Sequence, residues 1–411
     1  MNKKKKLNIA VFHLAFIYSG GGEKLVLEEY KGLVKKGHRA EIFSCVVVKK
    51  CFPEYLKKIK VKTFLPTPPF KLPDNESLMV LLCCFLAPFI AFRFRKYDVI
   101  LAANQPSPWI AWWVKRFFKV PYVSYLAQPT RFLYPREVDN QTGLIFSKNA
   151  CDSFSVKLMR VFKSFIFMAD KLSIKGSDTI LANGDYIGKK ISSVYGVKTI
   201  SCPAGAYPAG SVLNSQQKYT GRVKVGKKII TKPFLLITNR HFPQKRFEYA
   251  FYTLASLIDD YPELSLVITG GETKYTEKIK ALTENLSLGD RVVFLGLVDE
   301  KDLENLYSNA VVYLYTAPEE DFGMGIIEAM ARGTPVVAWN NAGPSGILAD
   351  FKNVSLSDPY DIVDFSRKTR RFLEKDKFAD RAGEKSLEKV KLYYSYERHI
   401  GILEKALYNS V

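Results

Sequence analysis

One pattern constrains this chain more than any other: apolar runs of strand length alternate with amphipathic stretches, and the alternation occurs twice. "NIAVFHLAF" leads into "SGGGEKLVLEEYKGLVKKG" and then "AEIFSCVVV"; later come "YDVILAAN", "PWIAWWVKRFFK", "VPYVSYLA" and "DTILANGDYIGKKISSVYG". Apolar runs each followed by a helical period are the pattern of parallel strands joined by crossover helices. The rhythm lapses from about Tyr207 to Lys232, a polar and basic stretch with Gly, Ser and Gln. It resumes with "PFLLITN", "RFEYAFYTLASLIDDY", "LSLVITGG", "KYTEKIKALTENLS", "RVVFLG", "EKDLENLYSNA", "VVYLYTA" and "TPVVAW". The expectation is an α/β chain of two doubly wound, Rossmann-like domains. Residues 1–206 form the first, 207–232 the connection and 233–385 the second, with C-terminal helices at 386–411 packing back on the first. Ligands of such sheets bind beyond the carboxyl ends of the strands, so two of them face to face make a cleft.

The chain's 411 residues suffice for two cores. Charge divides it unevenly. Residues 1–220 hold 34 Lys and Arg against 14 Asp and Glu, and residues 221–411 hold 27 of each, so the whole net charge of +20 lies in the first half. That asymmetry points to an anionic partner for the first half, nucleic acid or a membrane surface. Six cysteines (Cys45, Cys51, Cys83, Cys84, Cys151, Cys202) and four histidines (His13, His38, His241, His399) show no metal spacing, and a reducing cytosol suits them. "MNKKKK" is basic, but "LNIAVFHLAF" is too short for a signal or a span and reads as a strand. The run Leu78–Phe92, "LMVLLCCFLAPFIAF", contains a proline and also falls short of the ~20 residues a bilayer needs. Leu158–Lys171 reads as one long basic amphipathic helix.

Three short segments carry chemistry. "SGGGEK" follows the first strand and opens a helix, where glycines let backbone N–H groups approach a phosphate; a tight turn would use the same residues. In "ITNRHFPQKRF", Arg240 and Lys245 stand just past a strand and can clamp a diphosphate, Arg as a fork and Lys as a point charge; a solvated basic loop is the plain alternative. In "EEDFGMGIIE", Glu320 precedes a helix that starts near Gly323–Met324, and Glu328 lies about one turn (~6 Å) inside it. The amides of Phe322, Gly323, Met324 and Gly325 are helix-start donors for an anion or sugar hydroxyls, and Glu328 can accept from a ribose diol. Acids favoured by the helix dipole would look alike.

Taken together these segments resemble the retaining nucleotide-sugar glycosyltransferases of family four, whose fold is GT-B: two Rossmann-like domains facing across a cleft. The family's Glu-x7-Glu followed by "EAMARGTPVVA" stands here, its Arg-x4-Lys pair matches Arg240 and Lys245, and its "FLG" element matches Phe294–Gly296. "ILANGDYIGKKISSVYG" is similar to the family's segment at the end of the first domain. The resemblance covers nearly the whole chain and is densest over residues 230–345. It implies that the first domain takes the acceptor and the second the nucleotide sugar. Arg240 and Lys245 hold the donor diphosphate, Glu328 the ribose, and Glu320 the donor sugar. The amides of Phe322–Gly325 seat sugar and phosphate, Gly20, Gly21 and Gly22 face the diphosphate, and residues after Gly296, beginning with Leu297, line the base. No metal or other cofactor is implied, because Arg, Lys and helix amides supply the electrostatic stabilisation. Many relatives carry a His where "YLAQPTRFLY" has Ala127, with Gln128 beside it; the leaving phosphate can take the acceptor proton instead. His13, placed at the first strand's end, and Arg131 in "PTRFLYP" are the acceptor-side candidates, a satisfied core histidine being the alternative for His13.

The expected activity is transfer of a hexose, mannose by similarity of "SGGGEKLVLE" and "PTRFLYP" to mannosyltransferases, from a GDP- or UDP-linked donor to a lipid-linked or polysaccharide glycan. The setting is the cytoplasmic face of a membrane, with the protein held peripherally by the basic half on an anionic surface. An inactive GT-B scaffold and an RNA- or anion-binding protein are the alternatives; intact Glu320, Glu328, Arg240 and Lys245 oppose the first, and the lack of any RNA-binding motif opposes the second.

Overall fold

The structure is a computed structural model and describes residues 5–66, 75–146, 154–374 and 377–411. It divides into two compact units. Residues 1–137, 145–204 and 396–411 make unit 1, and residues 138–144 with 205–395 make unit 2.

The strands up to residue 204 are β1 (Asn8–Phe16), β2 (Arg39–Val47), β3 (Val61–Thr63), β4 (Val99–Ala103), β5 (Tyr122–Leu126), β6 (Arg136–Asp139), β7 (Leu144–Phe146), β8 (Thr179–Ala182) and β9 (Ile200–Ser201). Unit 1 is built on a parallel seven-stranded sheet in the order β3-β2-β1-β4-β5-β8-β9. β6 and β7 pair separately. The strands β4 and β5, "VILAA" and "YVSYL", are buried at every position because helices cover both faces of the sheet. One side of the core is aromatic: Phe12 packs edge-on to Phe94 and Phe64, with ring centroids 4.6 and 5.0 Å apart.

Two helical expectations change here. The run 78–92 is not continuous: helix Asn75–Phe85 ends before Leu86, and a second helix, Ala87–Ala91, restarts with Pro88 in its first turn, where proline is tolerated. Cys83, Ala87, Ile90 and Ala91 enter the core, whereas Leu82, Phe85, Leu86, Phe89 and Phe92 are exposed. The basic stretch 158–171 likewise lies in two helices, Phe154–Val161 and Lys163–Lys175, broken at Phe162.

The chain end also divides differently. Helix Lys377–Tyr393 stays in unit 2, and only residues from Tyr396 return to unit 1. There helix Tyr396–Ser410 lies against helix Gly21–Lys35. His399 Nε2 is 3.2 Å from Glu29 Oε1 with both side chains fully buried, and Glu404 bridges Lys36 (2.9 Å) and His38 (3.0 Å).

Unit 2 opens with what the sequence presented as a connection. Residues 207–232 fold within it: a helix, Ser215–Tyr219, closed by an Asn214/Gln217 capping box, and a hairpin of β10 (Arg222–Val225) and β11 (Lys228–Thr231). The alternation in "RVKVGKKIIT" drives the hairpin, since Val223, Val225 and Ile230 point inward. The remaining strands are β12 (Phe234–Thr238), β13 (Ser265–Thr269), β14 (Val292–Gly296), β15 (Val312–Tyr315), β16 (Val336–Trp339) and β17 (Leu356–Ser357). They form a parallel sheet ordered β14-β13-β12-β15-β16-β17. Succession runs outward from β12 in one direction and from β15 in the other, so the switch point lies between these two strands. A crevice for ligands forms at the carboxyl ends of such a pair.

Candidate active site

The chain leaving β12 makes the first wall of the site in unit 2. Thr238 ends the strand, Asn239–Phe242 turn outward, a short 3-10 turn spans Pro243–Lys245, and helix Phe247–Ala255 follows. Arg240 is exposed, its guanidinium 4.6 Å from the centre of the Phe242 ring. Lys245 is held by its backbone, whose carbonyl accepts from Thr316 Oγ1 at 2.7 Å just past β15. Its ammonium lies 5.8 Å from the Tyr315 ring centre and is ion-paired with Glu320 Oε2.

The chain leaving β15 makes the second wall. Gly323 is the N-cap of helix Met324–Ala331 at φ +100°, a conformation that a side chain would strain. Gly325 serves packing rather than flexibility: a Cβ there would lie 2.2 Å from the Tyr313 hydroxyl. The helix therefore sits close on the sheet, and Glu328, half-buried, is brought down to it. Tyr307 donates to Glu328 Oε2 at 2.9 Å, and Thr238 Oγ1 links the Tyr307 and Tyr313 hydroxyls at 2.7 and 2.9 Å. Burial, reinforced by the Glu328 charge, pushes the Tyr307 phenol well above its ordinary pKa, so it remains a donor. Burial with the Glu320 charge does the same to Tyr315. Phe322 is buried, its ring 6.1 Å from that of Tyr394. Leu297 is exposed immediately after β14.

Arg240, Lys245, Glu320, Glu328, Phe322–Gly325 and Leu297 thus all follow the carboxyl ends of strands in one sheet. Several residues that sequence reading passed over hold them there. Arg246, at φ +48°, is gripped by Asp139 Oδ2 at 2.7 Å and by Glu248 and Gln141, with Tyr249 and Tyr360 rings 5.1 and 5.3 Å away. Burial works against its charge, but the Asp139 and Glu248 carboxylates outweigh it and raise the guanidinium pKa. The Gly343 amide donates to the Glu320 carbonyl at 2.9 Å. His241 is buried on Thr276 at 3.0 Å, and burial lowers its pKa. The adjoining "KR" and the glycine of "NNAGPSG" were the only sequence signals for Arg246 and Gly343.

The other candidates lie in unit 1. Gly20 caps helix Gly21–Lys35, and the Glu23 carboxylate closes over it: a Cβ at Gly20 would lie 2.7 Å from Glu23 Oε2. Gly22 has open space around it. His13 does not stand at the strand end, because β1 continues to Phe16. It is buried beside the backbone of Ala15 and Ala103, neither ring nitrogen makes a hydrogen bond of normal geometry to a described residue, and burial lowers its pKa to about 4. It is a neutral interior imidazole, not a satisfied core histidine. Arg131 Nε donates to Gln128 Oε1, which fixes the Gln128 side chain, and the Ala127 amide donates to Asn104 Oδ1 at 3.0 Å. Cys45, Cys51, Cys83, Cys84 and Cys202 are free thiols; Cys151 is outside the described residues.

Paired cations and carboxylates at the switch point of a doubly wound sheet make a candidate site for an anionic ligand, and two such sheets in one chain give the GT-B fold. The solved structure of Anabaena HepE in complex with UDP and glucose shares it, with a TM-score of 0.72 at 16% identity over 98% of this chain and 99% of that one. Residues 223–389 match the family model described as glycosyl transferases group 1. Over these residues, about two fifths of the chain, it is similar to that family. D-inositol 3-phosphate glycosyltransferase of Nocardioides sp. is 27% identical over 236 residues, 54% of this chain, and the match spans about half (51%) of that protein. Alpha-1,3/1,6-mannosyltransferase ALG2 of Dictyostelium discoideum is 24% identical over 434 aligned positions, 96% of each chain.

Proposed function

We propose that this glycosyltransferase moves a hexose, with retention of configuration and without a bound metal, from a nucleoside-diphosphate sugar to a hydroxyl of a glycan or lipid-linked acceptor. The observation that carries the reading is the Lys245–Glu320 ion pair at the switch point, with Arg240 on the same loop and Glu328 on the helix that follows. A diphosphate arriving at Lys245 competes with Glu320 for the ammonium, and Glu320 can then accept from donor-sugar hydroxyls. Glu328, oriented by Tyr307, accepts from the ribose. As the bond from the anomeric carbon to the phosphate oxygen breaks, charge grows on the departing diphosphate and the two cations offset it. The acceptor oxygen attacks from the same face, and its proton passes to the departing phosphate oxygen. Mannose is the favoured hexose because ALG2 is named a mannosyltransferase; the UDP bound by HepE keeps UDP sugars in the test. A thermal-shift screen of GDP and UDP sugars checks this: a true donor at about 100 times its dissociation constant stabilises by about 2.7 kcal/mol. If no nucleotide sugar stabilises the protein or is consumed, the reading is wrong.

The proposal places unit 1 on the cytoplasmic face of an anionic membrane. No helix among the described residues is long and apolar enough to cross a membrane. Phe89 and Phe92 are 74% and 57% exposed, with Arg93, Arg95 and Lys96 next in sequence, and Val161 is 77% exposed beside Arg160 and Lys163. Aromatic and aliphatic side chains interleaved with cations suit an interface, each cation contributing about 1 kcal/mol. Co-sedimentation with anionic vesicles should be strong at low salt, weaker at high salt and lost on Phe89→Ser/Phe92→Ser. Indifference to anionic vesicles together with tight RNA binding would favour the nucleic-acid reading instead.

A further inference from the structure

Unit 1 contains a cavity of about 120 Å³ beyond the carboxyl ends of β4 and β5. Gln105 and Pro106, which follow β4, and Thr130 and Phe132, which follow β5, line one end. Helices Asn75–Phe85, Ser107–Phe118 and Lys163–Lys175 supply the walls, chiefly Leu81, Trp109, Phe165 and Ile166. The Trp109 indole N–H is already satisfied by the Cys84 carbonyl at 2.9 Å, so that wall presents only carbon. At the polar end stands Asp170, 2% exposed. Its Oδ1 accepts from Thr130 Oγ1 at 2.5 Å, and Tyr195 and Gln105 also lie close to the carboxyl. Its Oδ2, also buried, has no hydrogen-bond partner of normal geometry among the described residues. The walls run on to exposed apolar side chains: Phe85 stacks on Phe165 with centroids 5.0 Å apart, and Leu82 and Leu86 are exposed beside it.

A buried carboxylate oxygen without a partner is costly, and an apolar cavity beside it shows what kind of molecule would relieve it. The walls offer hydrocarbon contacts and almost no polar atoms, which suits an aliphatic chain and not a sugar ring, whose hydroxyls each need a partner. No lysine or arginine among the described residues lines the cavity, so none of them offsets the repulsion between Asp170 and a phosphate. An ammonium would need three acceptors where one oxygen stands unpaired. A hydroxyl donates once and meets Oδ2. We propose that this cavity binds the hydrocarbon chain of a neutral, hydroxyl-bearing lipid, with the hydroxyl donating to Asp170 Oδ2. The site rests on the cavity alone; taken with the transfer proposed above, which it does not require, it makes such a lipid the acceptor or its anchor.

Calorimetry on the whole protein with 1-octanol, its methyl ether and octyl phosphate tests this without any sugar donor, so the outcome is separate from that of the transfer reading. Octanol should bind saturably, and the ether and the phosphate at least about tenfold more weakly, the ether for lack of a donor and the phosphate for its charge. Ala169→Phe fills the cavity and should abolish octanol binding while circular dichroism and cooperative thermal unfolding report an intact fold. Asp170→Asn keeps the volume and should weaken octanol about tenfold while narrowing its lead over octyl phosphate. The proposal is overturned by octyl phosphate binding as tightly as octanol, by no saturable octanol binding, or by unchanged octanol affinity in Asp170→Asn.

Discussion

The two units put opposite surroundings at the strand ends of the same sheet architecture. Unit 2 places Arg240, Lys245, Glu320 and Glu328 at its switch point and locks the loop with a charged network around Arg246. Unit 1 holds the chain's whole net positive charge, yet no cation among the described residues lines the cavity at its strand ends. Fixed charges against a diphosphate must be few, close and rigidly supported, because the stabilisation depends on where charge develops. Charge spread over a surface suits a diffuse anionic partner, and an apolar cavity suits a chain without charge. On the proposed reading, one unit recognises by placed polar groups, and the other by surface field and hydrocarbon contact.

If that contrast is right, the largest effect should come from the placed cations. Lys245→Ala or Arg240→Ala should slow transfer about 10²–10³-fold, about 3–4 kcal/mol in the barrier, with thermal unfolding unchanged. Activity within a few-fold of the parent would mean that these cations do not meet the diphosphate. Next is the support. Asp139→Ala leaves Arg246 buried with less compensation and should cost about 3 kcal/mol in chemical denaturation. A loss within a few tenths of a kcal/mol would show that Glu248 and Gln141 suffice.

The corresponding test in unit 1 has a pH signature. Burial pushes the Asp170 carboxyl up to about 6 against an ordinary value of 3.8. The folded state therefore holds this proton through a window in which the unfolded chain has lost it, and parent stability falls as pH rises from about 4 to about 6. Asp170→Asn removes that penalty. Its stability relative to the parent should rise across the window and level off above pH ~6, by roughly 2–3 kcal/mol. A constant difference from pH 4 to 7 would mean that Asp170 titrates normally.

How much of this was legible in the sequence follows the same contrast. The family's diphosphate clamp admits few solutions, so Arg240, Lys245, Glu320 and Glu328 could be named from spacing and resemblance, and in the structure all four follow the carboxyl ends of the neighbouring strands β12 and β15. The alternating apolar runs marked nearly every strand of both parallel sheets for the reason that strands covered on both faces must be apolar. What escaped were features with many solutions. Any hydrophobes of suitable size could have lined the cavity, and nothing local announces that Asp170 turns inward. The break at Leu86 depends on how Ala87, Ile90 and Ala91 find the core, and Pro88 alone did not separate a kink from a restart. Residues 207–232 looked like a connection because basic residues outnumbered apolar ones, although "RVKVGKKIIT" contained the hairpin's alternation. His13 was placed at a strand end because the apolar run gave no mark of where pairing stops.

The most direct test of the central claim, that unit 2's switch point holds the nucleotide, is calorimetry of GDP and UDP alone on the parent, Glu328→Ala and Glu320→Ala. Glu328 contacts a ribose that is present throughout, so its loss should weaken the preferred nucleotide about tenfold, about 1.4 kcal/mol. On the proposed reading Glu320 meets the sugar, which neither nucleotide carries, and competes with the diphosphate for Lys245, so Glu320→Ala should bind nucleotide at least as tightly as the parent while its turnover falls. Equal affinity of the parent and Glu328→Ala for both nucleotides would contradict the account.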